Sequence, residues 1–320
     1  MRCLITGING FAASHLAERL LNSGHEVHGT VRIRAKKDNL DLIIPSVPLH
    51  TCDLSDPYGI GEIIKKTQPD VVFHLAAQSF VAFSWDHPVE TLETNVMGTL
   101  HLLEAIRRYC PSARVHIASS SQVYGKIDEQ DQPMTENSLF NPMNPYDTSK
   151  LAQEMLALQY HNSYGLKIIR TRAFNITGPK RGESFAESSW AKQIAWIEKM
   201  GHGTILHGNL ESFRDYVDVR DVVIAYEWAG IEGEPGGLYL LGSGFPTQMR
   251  SILNTLLNLK LPGTSIDLAQ DKARMRPSDT PFMQCGSDDL CKIVGKVESR
   301  PLIPLTKSLR DLLEYWRLRT

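Results

Sequence analysis

At 320 residues the chain has room for one large domain or two modest ones. Its 42% hydrophobic and 22% charged residues are ordinary globular usage, and a net charge of −2 lacks the basic excess of a nucleic-acid binder. No apolar run approaches the ~20 residues of a membrane helix, and five scattered cysteines (Cys3, Cys52, Cys110, Cys285, Cys291) without CxxC spacing favour neither a disulfide framework nor a zinc site. The chain opens on Cys3-Leu4-Ile5 without a charged-then-apolar leader, so the expectation is no secretion signal and a reducing cytoplasm.

Arg2 to Thr6 reads as a buried strand, followed by Gly7-Ile-Asn9-Gly10-Phe11-Ala-Ala13 and then a helix that stops at Asn22-Ser23-Gly24. With a second strand at Val27 to Val31 this is a βαβ nucleotide-binding unit. Gly7 permits the tight turn, and Gly10 lets a pyrophosphate approach the backbone at the helix N-terminus. The second strand ends in Arg32-Ile-Arg34 with no acid before Asp38. An acid there suits the ribose hydroxyls of NAD, and an arginine suits the 2′-phosphate of NADP. Arg32 is therefore the candidate phosphate contact, Arg34 the second, and a solvated basic loop the alternative.

A third strand, from Val47 to Cys52, ends at Asp53-Leu54. Asp53 either accepts from an adenine amino group or caps the helix expected over 57–67. A fourth strand, from Val71 to Leu75, runs into Ala76-Ala77-Gln78-Ser79, small residues that let a cofactor lie against the backbone. Residues 88–109 have helical periodicity (Leu92, Val96, Leu100, Leu103, Ile106), with Asn95 inside. A fifth strand, from Val115 to Ala118, delivers Ser119-Ser120-Ser121-Gln122 at its carboxyl end, where sites in open α/β sheets lie.

Tyr146 and Lys150 follow Pro142-Met-Asn-Pro145. On a helix they share one face, a turn apart. A free tyrosine, with a pKa of about 10, is a poor acid at neutral pH, and a neighbouring ammonium moves it towards working pH. Two surface residues that happen to be four apart would look the same. A sixth strand, from Lys167 to Arg172, ends near Asn175, and from about residue 180 strict alternation weakens. A helix is expected around 188–200, another from Asp221 to about Gly230, a strand at Leu238 to Leu241 and an amphipathic helix over 306–317.

Taken together, Gly7-x-x-Gly10-Phe11, Asp53-Leu54, His74-Leu-Ala-Ala77, Asn95, Ser119-Ser-Ser121, Tyr146-x-x-x-Lys150 and Arg214-Asp-Tyr-Val-Asp-Val-Arg-Asp221 resemble the extended short-chain dehydrogenases/reductases that act on nucleotide sugars. The match spans the chain to Arg276. Within that family the chain is similar to the GDP-mannose branch, which holds 4,6-dehydratases and GDP-4-keto-6-deoxy-D-mannose reductases. Pro142-Met-Asn-Pro-Tyr, Lys192-Gln-Ile and Gly208-Asn-Leu-Glu-Ser-Phe-Arg resemble the reductases more.

The resemblance implies a doubly wound parallel sheet of the NAD(P)-binding Rossmann type over 1–175, rejoined by about 215–243. It also implies a smaller, interleaved α/β nucleotide-sugar domain over 176–214 and 244–320. NADP(H), with NAD(H) as the other candidate, would be held by Gly7, Asn9, Gly10, Phe11, Arg32, Asp53, Leu54, Leu75, Ala76, Ala77, Ser79, Asn95, Tyr146 and Lys150. Tyr146, Lys150 and Ser120 are the implied catalytic set, with Ser119 the alternative serine. Ser121, Gln122, Asn175, Lys192, Arg214 and Arg276 are the implied contacts to a GDP-sugar. A homodimer through a four-helix interface (88–109 and 146–164) is also implied.

One position weighs the branch chemically. The dehydratases carry a glutamate where Gln122 stands, and a carboxylate can strip the proton at C5 of a 4-keto sugar. An amide oxygen is too weakly basic to do so near neutral pH. Elimination is disfavoured unless Glu129 or another acid substitutes. What remains is hydride transfer to C4, giving GDP-6-deoxy-D-mannose (GDP-D-rhamnose). A 4-epimerase, usually an NAD enzyme, fits Arg32 less well.

Overall fold

The strands β1 (Arg2–Thr6), β4 (Val71–His74), β5 (Arg114–Ser120) and β6 (Lys167–Ala173) are almost continuously buried. That is the signature of a parallel sheet covered by helices on both faces. The computed structural model describes residues 1–41, 43–127, 129–275 and 280–320; of Ile44 and Glu129 only the backbone is described. In chain order the first unit adds α1 (Phe11–Asn22), β2 (Glu26–Val31), β3 (Leu49–Thr51), α2 (Pro57–Thr67), α3 (Val81–Asp86), α4 (Pro88–Leu92), α5 (Gly98–Tyr109) and α6 (Pro145–Tyr164). There follow β7 (Asn175–Thr177), α7 (Ala186–Met200), β8 (His202–His207), β9 (Phe213–Asp218), α8 (Val219–Ile231), β10 (Leu238–Leu241), β11 (Pro246–Gln248), α9 (Met249–Asn258), β12 (Ser265–Gln270), α10 (Asp289–Glu298) and α11 (Leu305–Arg317).

Seven strands form one sheet in the order β3-β2-β1-β4-β5-β6-β10, every pair parallel. The chain winds outward from β1 to β3, then returns to β4 on the other side. The strand order therefore reverses between β1 and β4, and ligands of open α/β sheets bind at the carboxyl ends beside such a reversal. Ile60 and Ile64 of α2, Leu102 and Ile106 of α5 and Val72, Val115 and Ile117 of the sheet make one core. Each such side chain contributes about 1.5–3 kcal/mol of burial.

The compact units are Met1–Gly125, Leu139–Ala173 and Val222–Leu241 on the one hand, and Lys126–Ser138, Phe174–Asp221 and Gly242–Thr320 on the other. Residues 126–138, read on sequence as part of the first domain, cluster with the second unit. There Met134 bridges Cys285 and its amide donates to the Gln284 carbonyl at 2.9 Å. The second unit holds a β11-β9-β7 sheet and a parallel β12-β8 pair. Its core is Trp190 and Ile194 of α7, Ile252 and Leu256 of α9, and Leu309 and Leu313 of α11. Among the described residues no helix is long and apolar enough to cross a membrane.

The helix expected over 88–109 is interrupted: a π turn at Glu93–Met97 separates α4 from α5. Such turns accommodate a side chain with business elsewhere, and here that side chain is Asn95. The third strand is only three residues long, because β3 lies at the sheet edge with a single neighbour.

Candidate active site

α6 begins where the sequence indicates, with Pro145 in its first turn and Asn144 Oδ1 accepting from the Asp147 amide at 2.9 Å. The cap fixes the register of the first turn, and so where Tyr146 and Lys150 project. Both are buried, at 9% and 4% exposure. Lys150 Nζ donates to the Ala118 carbonyl of β5 at 2.6 Å and to Gln153 Oε1 at 2.5 Å. Burial pulls its ammonium down to about 8, and Glu154 one turn on opposes that shift.

Asn95 braces the same turn. Its Oδ1 accepts from the Gln78 amide at 2.8 Å, and its Nδ2 donates to the Gln78 carbonyl at 3.0 Å and to Ser149 Oγ at 2.8 Å. Ser149 in turn donates to the Tyr146 carbonyl at 2.7 Å. Asn95 is fully buried with its amide spent on protein groups. This corrects its expected place among the cofactor contacts: it ties the loop after β4 to the helix that carries Tyr146.

The serine run divides its labour. Ser119 Oγ donates to Glu154 Oε2 at 2.6 Å inside the unit. Glu154 is also bonded by Arg172 Nε (3.1 and 3.0 Å) and Nη2 (2.7 Å), with Arg170 3.5 Å away. Ser120 is half-buried and its Oγ accepts from the Gln122 amide at 3.2 Å, capping the 3-10 turn Ser121–Tyr124. The geometry favours Ser120 over Ser119 as the hydroxyl open to a reacting oxygen. Ser121 Oγ is buried without a protein partner among the described residues.

The reversal between β1 and β4 has the shape of a dinucleotide cradle. Gly7 has φ +66°, and a Cβ there would lie 2.9 Å from the Ala76 Cα. The turn and the loop after β4 therefore approach more closely than a side chain allows. Gly10 caps α1 with no side-chain bond and no acid follows in the first turn, so the leading amides are free of anionic competition. Phe11 opens the helix, and Asn9 Nδ2 donates to the Lys36 carbonyl at 2.9 Å, which holds the basic loop. Arg32 and Arg34 are exposed just after β2, with Lys36 and Lys37. Cationic groups at this strand end fit a 2′-phosphate.

Thr6 and His74 pin the two central strands. Thr99 Oγ1 donates to the Asn95 carbonyl (2.6 Å) and so accepts from His74 Nε2 (2.9 Å). His74 Nδ1 then accepts from Thr6 Oγ1 (2.8 Å), which accepts from the amides of Leu75 (3.2 Å) and Ala76 (3.1 Å). Burial holds His74 neutral, its value pushed to about 3. Leu75, Ala76 and Ala77 are half-buried and Ser79 exposed.

Two cradle residues depart from expectation. The Leu54 side chain is buried in the core against α5, so only its backbone is left to meet a ligand. Asp53 Oδ1 accepts from Ser55 N and Oγ at 3.0 and 2.9 Å, an Asx turn, while Asp56 is the residue that caps α2.

In the second unit Arg214 is buried on β9 and its Nη1 donates to the Phe213 carbonyl at 2.8 Å. Asn175 Oδ1 on β7 is buried without a protein partner among the described residues. Lys192 pairs with Glu183 and lies 5.2 Å over the Trp316 ring, a half-exposed helix face that does not support its expected nucleotide contact. Arg276 lies outside the described residues.

Residues 4–281 match the family model of GDP-mannose 4,6 dehydratase. The chain belongs to that family. GDP-6-deoxy-D-mannose reductase of Pseudomonas aeruginosa is 32% identical over 319 residues, covering 99% of this chain and 98% of the relative. GDP-mannose 4,6-dehydratase of Yersinia enterocolitica is 32% identical over 279 residues, covering 84% and 74%. Among solved structures, RMD from Pseudomonas aeruginosa complexed with NADPH aligns with a TM-score of 0.81 at 29% identity, covering 100% and 99% of the two chains. UDP-glucose 4-epimerase of Thermus thermophilus in complex with NAD aligns with 0.84 at 30%, covering 99% of each.

For this GDP-mannose 4,6-dehydratase family member, sequence reasoning overlooked the braces. Glu154 stands eight residues after Tyr146 and four after Lys150, on the same helical face, and that spacing was the available signal. Arg172 is paired across β5–β6 with Ser119. Asp215, beside Arg214, was also passed over. Its Oδ1 accepts from Ser243 N (2.8 Å) and Oγ (2.6 Å), and its Oδ2 from the amides of Gly244 (2.9 Å) and Cys285 (3.1 Å).

Proposed function

We propose that the chain reduces the C4 ketone of GDP-4-keto-6-deoxy-D-mannose to GDP-6-deoxy-D-mannose with NADPH, NADH being the second candidate. The observation that carries this reading is the pairing of Tyr146 and Lys150 with a serine turn that holds Gln122 and no carboxylate. Glu154, the acid bonded to that serine run, is bound by Arg172 and Ser119 and is in no position to take a carbon-bound proton. The Glu129 side chain lies outside the described residues. Similarity to the Pseudomonas reductase along nearly its whole length supports the same reading.

Bound NADPH supplies the hydride. The Tyr146 phenol gives its proton to the C4 oxygen as negative charge develops there. The Lys150 ammonium holds the nicotinamide ribose hydroxyls and lowers the cost of the phenolate left behind. Ser120 Oγ donates to the same C4 oxygen, placed before charge appears. The cradle of Gly7, Gly10 and Phe11 takes the pyrophosphate and Arg32 the 2′-phosphate. The second unit takes the sugar nucleotide: Asn175, Arg214 and Arg276 meet the diphosphate and sugar, arginine forks suiting phosphate oxygens.

Two copies pair through α4–α5 and α6 into a four-helix interface, supported by the exposure of Val89, Leu92 and Tyr164 on those helices and of Met97 in the turn between α4 and α5. Sedimentation at low micromolar concentration checks this. Elimination of water from GDP-mannose is the second reading, supported by equal identity to the Yersinia dehydratase.

The deciding experiment supplies GDP-4-keto-6-deoxy-D-mannose and NADPH and follows reduced-nicotinamide absorbance. Stoichiometric loss with a 6-deoxy-D-mannose product is expected. No loss, together with a 4-keto product from GDP-mannose without added reductant, would replace this reading with the second.

A further inference from the structure

Gln153 is fully buried on α6, one turn beyond Lys150, and it is an odd residue to find there. Its Oε1 accepts from Lys150 Nζ at 2.5 Å, while its Nε2 is buried with no partner among the described residues. The orientation of the amide is forced by chemistry, because an ammonium has only donors and can bond only the oxygen. A buried N–H donor left without an acceptor is destabilising. An apolar side chain of similar length would avoid that cost, so what the site retains in Gln153 is its oxygen.

Lys150 Nζ has three N–H donors. Two are committed, to the Ala118 carbonyl on β5 and to Gln153 on α6. The third has no partner among the described residues. Two fixed acceptors on a tetrahedral nitrogen leave one direction for the third bond. We infer that Gln153 is a positioning residue for Lys150, holding the ammonium charged and committing all but one of its donors, so that the remaining N–H serves the ribose of the bound dinucleotide. The inference depends on the reading of Lys150 as a cofactor contact, and not on which sugar is reduced.

Among the described residues, Glu154 on its own helix, His74 on β4 and His116 on β5 act on Lys150 electrostatically, with Tyr146 one turn before it and Tyr226 of α8, which stays a neutral phenol, packed on His116 and coupled to Tyr146. The two histidines are buried and neutral, both pushed to about 3. Glu154 is already bound by Arg172. With the Ala118 carbonyl and the nearby charge of Glu154, the Gln153 oxygen favours the protonated Lys150 in a site where burial works to remove the proton, and it is the side-chain acceptor among them that bonds the ammonium directly.

The test measures NADPH affinity against pH by nicotinamide fluorescence. It is done in a Tyr146→Phe background, so that the phenol does not titrate alongside the lysine. Affinity falls as Lys150 loses its proton. Gln153→Met keeps length and apolar bulk but removes the acceptor, and should move the midpoint of that fall down by about one pH unit, a tenfold change in ionisation. Gln153→Glu adds a charge partner and should move it up by a similar amount. Opposite shifts in the two folded variants would establish the role. Unchanged midpoints in both would overturn it, and if one variant does not fold the other decides alone. Because the readout is binding, shifts seen in a chain that does not turn over the keto sugar would overturn the reductase reading and leave Gln153 in place.

Discussion

Arg172 and Glu154 form an ion pair with side chains 3% and 0% exposed, the guanidinium Nη2 2.7 Å from Oε1. The pair stands behind the turn that presents Ser120, because Glu154 also takes Ser119 Oγ, and Arg172 Nη1 reaches the Tyr124 hydroxyl at 2.6 Å. One end of the segment 119–124 is thereby fastened to Glu154 of α6 and the other to Arg172 of β6. Breaking one side of a buried pair leaves the other charge uncompensated, at about 3–5 kcal/mol. Glu154→Gln is expected to lose that much in denaturant unfolding. Replacing both residues with methionine is expected to restore most of the stability while turnover stays low.

Tyr146→Phe removes the proton donor and keeps the ring. Turnover is expected to drop by roughly 10²–10⁴-fold, with GDP-sugar binding retained. Steady-state kinetics and calorimetric binding measure the two separately, and unchanged turnover would end the proposed mechanism.

The two serines should separate in the same way. Ser120→Ala is expected to lower kcat by roughly 10²–10³-fold, the scale of one oxyanion donor, with little change in stability. Ser119→Ala removes a donor from a buried carboxylate and is expected to cost about 1–3 kcal/mol of stability. Kinetics and thermal unfolding of the two variants, measured together, check the assignment.

Arg32 sits exposed at the end of β2, where a 2′-phosphate would lie. Arg32→Ala is expected to weaken NADPH roughly tenfold, the value of about 1.4 kcal/mol, and to leave NADH nearly unchanged. Equal losses for both cofactors would place the phosphate elsewhere.

His74 and His116 are buried and neutral, each pushed down to about 3 by desolvation. In the unfolded chain they bind a proton near pH 6.5. Between those values the unfolded state holds more protons, so stability is complete above about pH 6.5 and falls as the pH drops towards 3. With both histidines acting, the slope approaches about 2.7 kcal/mol per pH unit. His74→Gln should flatten it in unfolding titrations run from pH 7 to pH 4.

Much of this is legible in the sequence itself. Buried parallel strands read as apolar runs, and Gly7 and Gly10 between a strand and a helix identify the cradle. Tyr146 and Lys150 need only helical spacing to share a face. The legible features are local ones. Beyond residue 180 the expected helices and strand are present as α7, α8, β10 and α11, but β11 is three residues long, too short for alternation to register, and α9 and α10 carry no sharp start signals, so these stay illegible. At Asn95, Leu54 and Lys192 the sequence does not show what the side chain does, for a different reason: each answers to a tertiary neighbour. Asn95 answers to Gln78 and Ser149, Leu54 to α5, and Lys192 to Glu183 and Trp316.

The outermost strand beside β6 is β10, made from residues 238–241 after the chain has left the first unit and come back. A nascent chain emerging from the ribosome therefore carries β6 with one flank bare for some 65 residues of further synthesis. A bare parallel edge is a template for pairing with other chains. Fragments that stop at Asn175 should then be prone to aggregation, whereas a split placed after Leu241 would leave the large sheet whole.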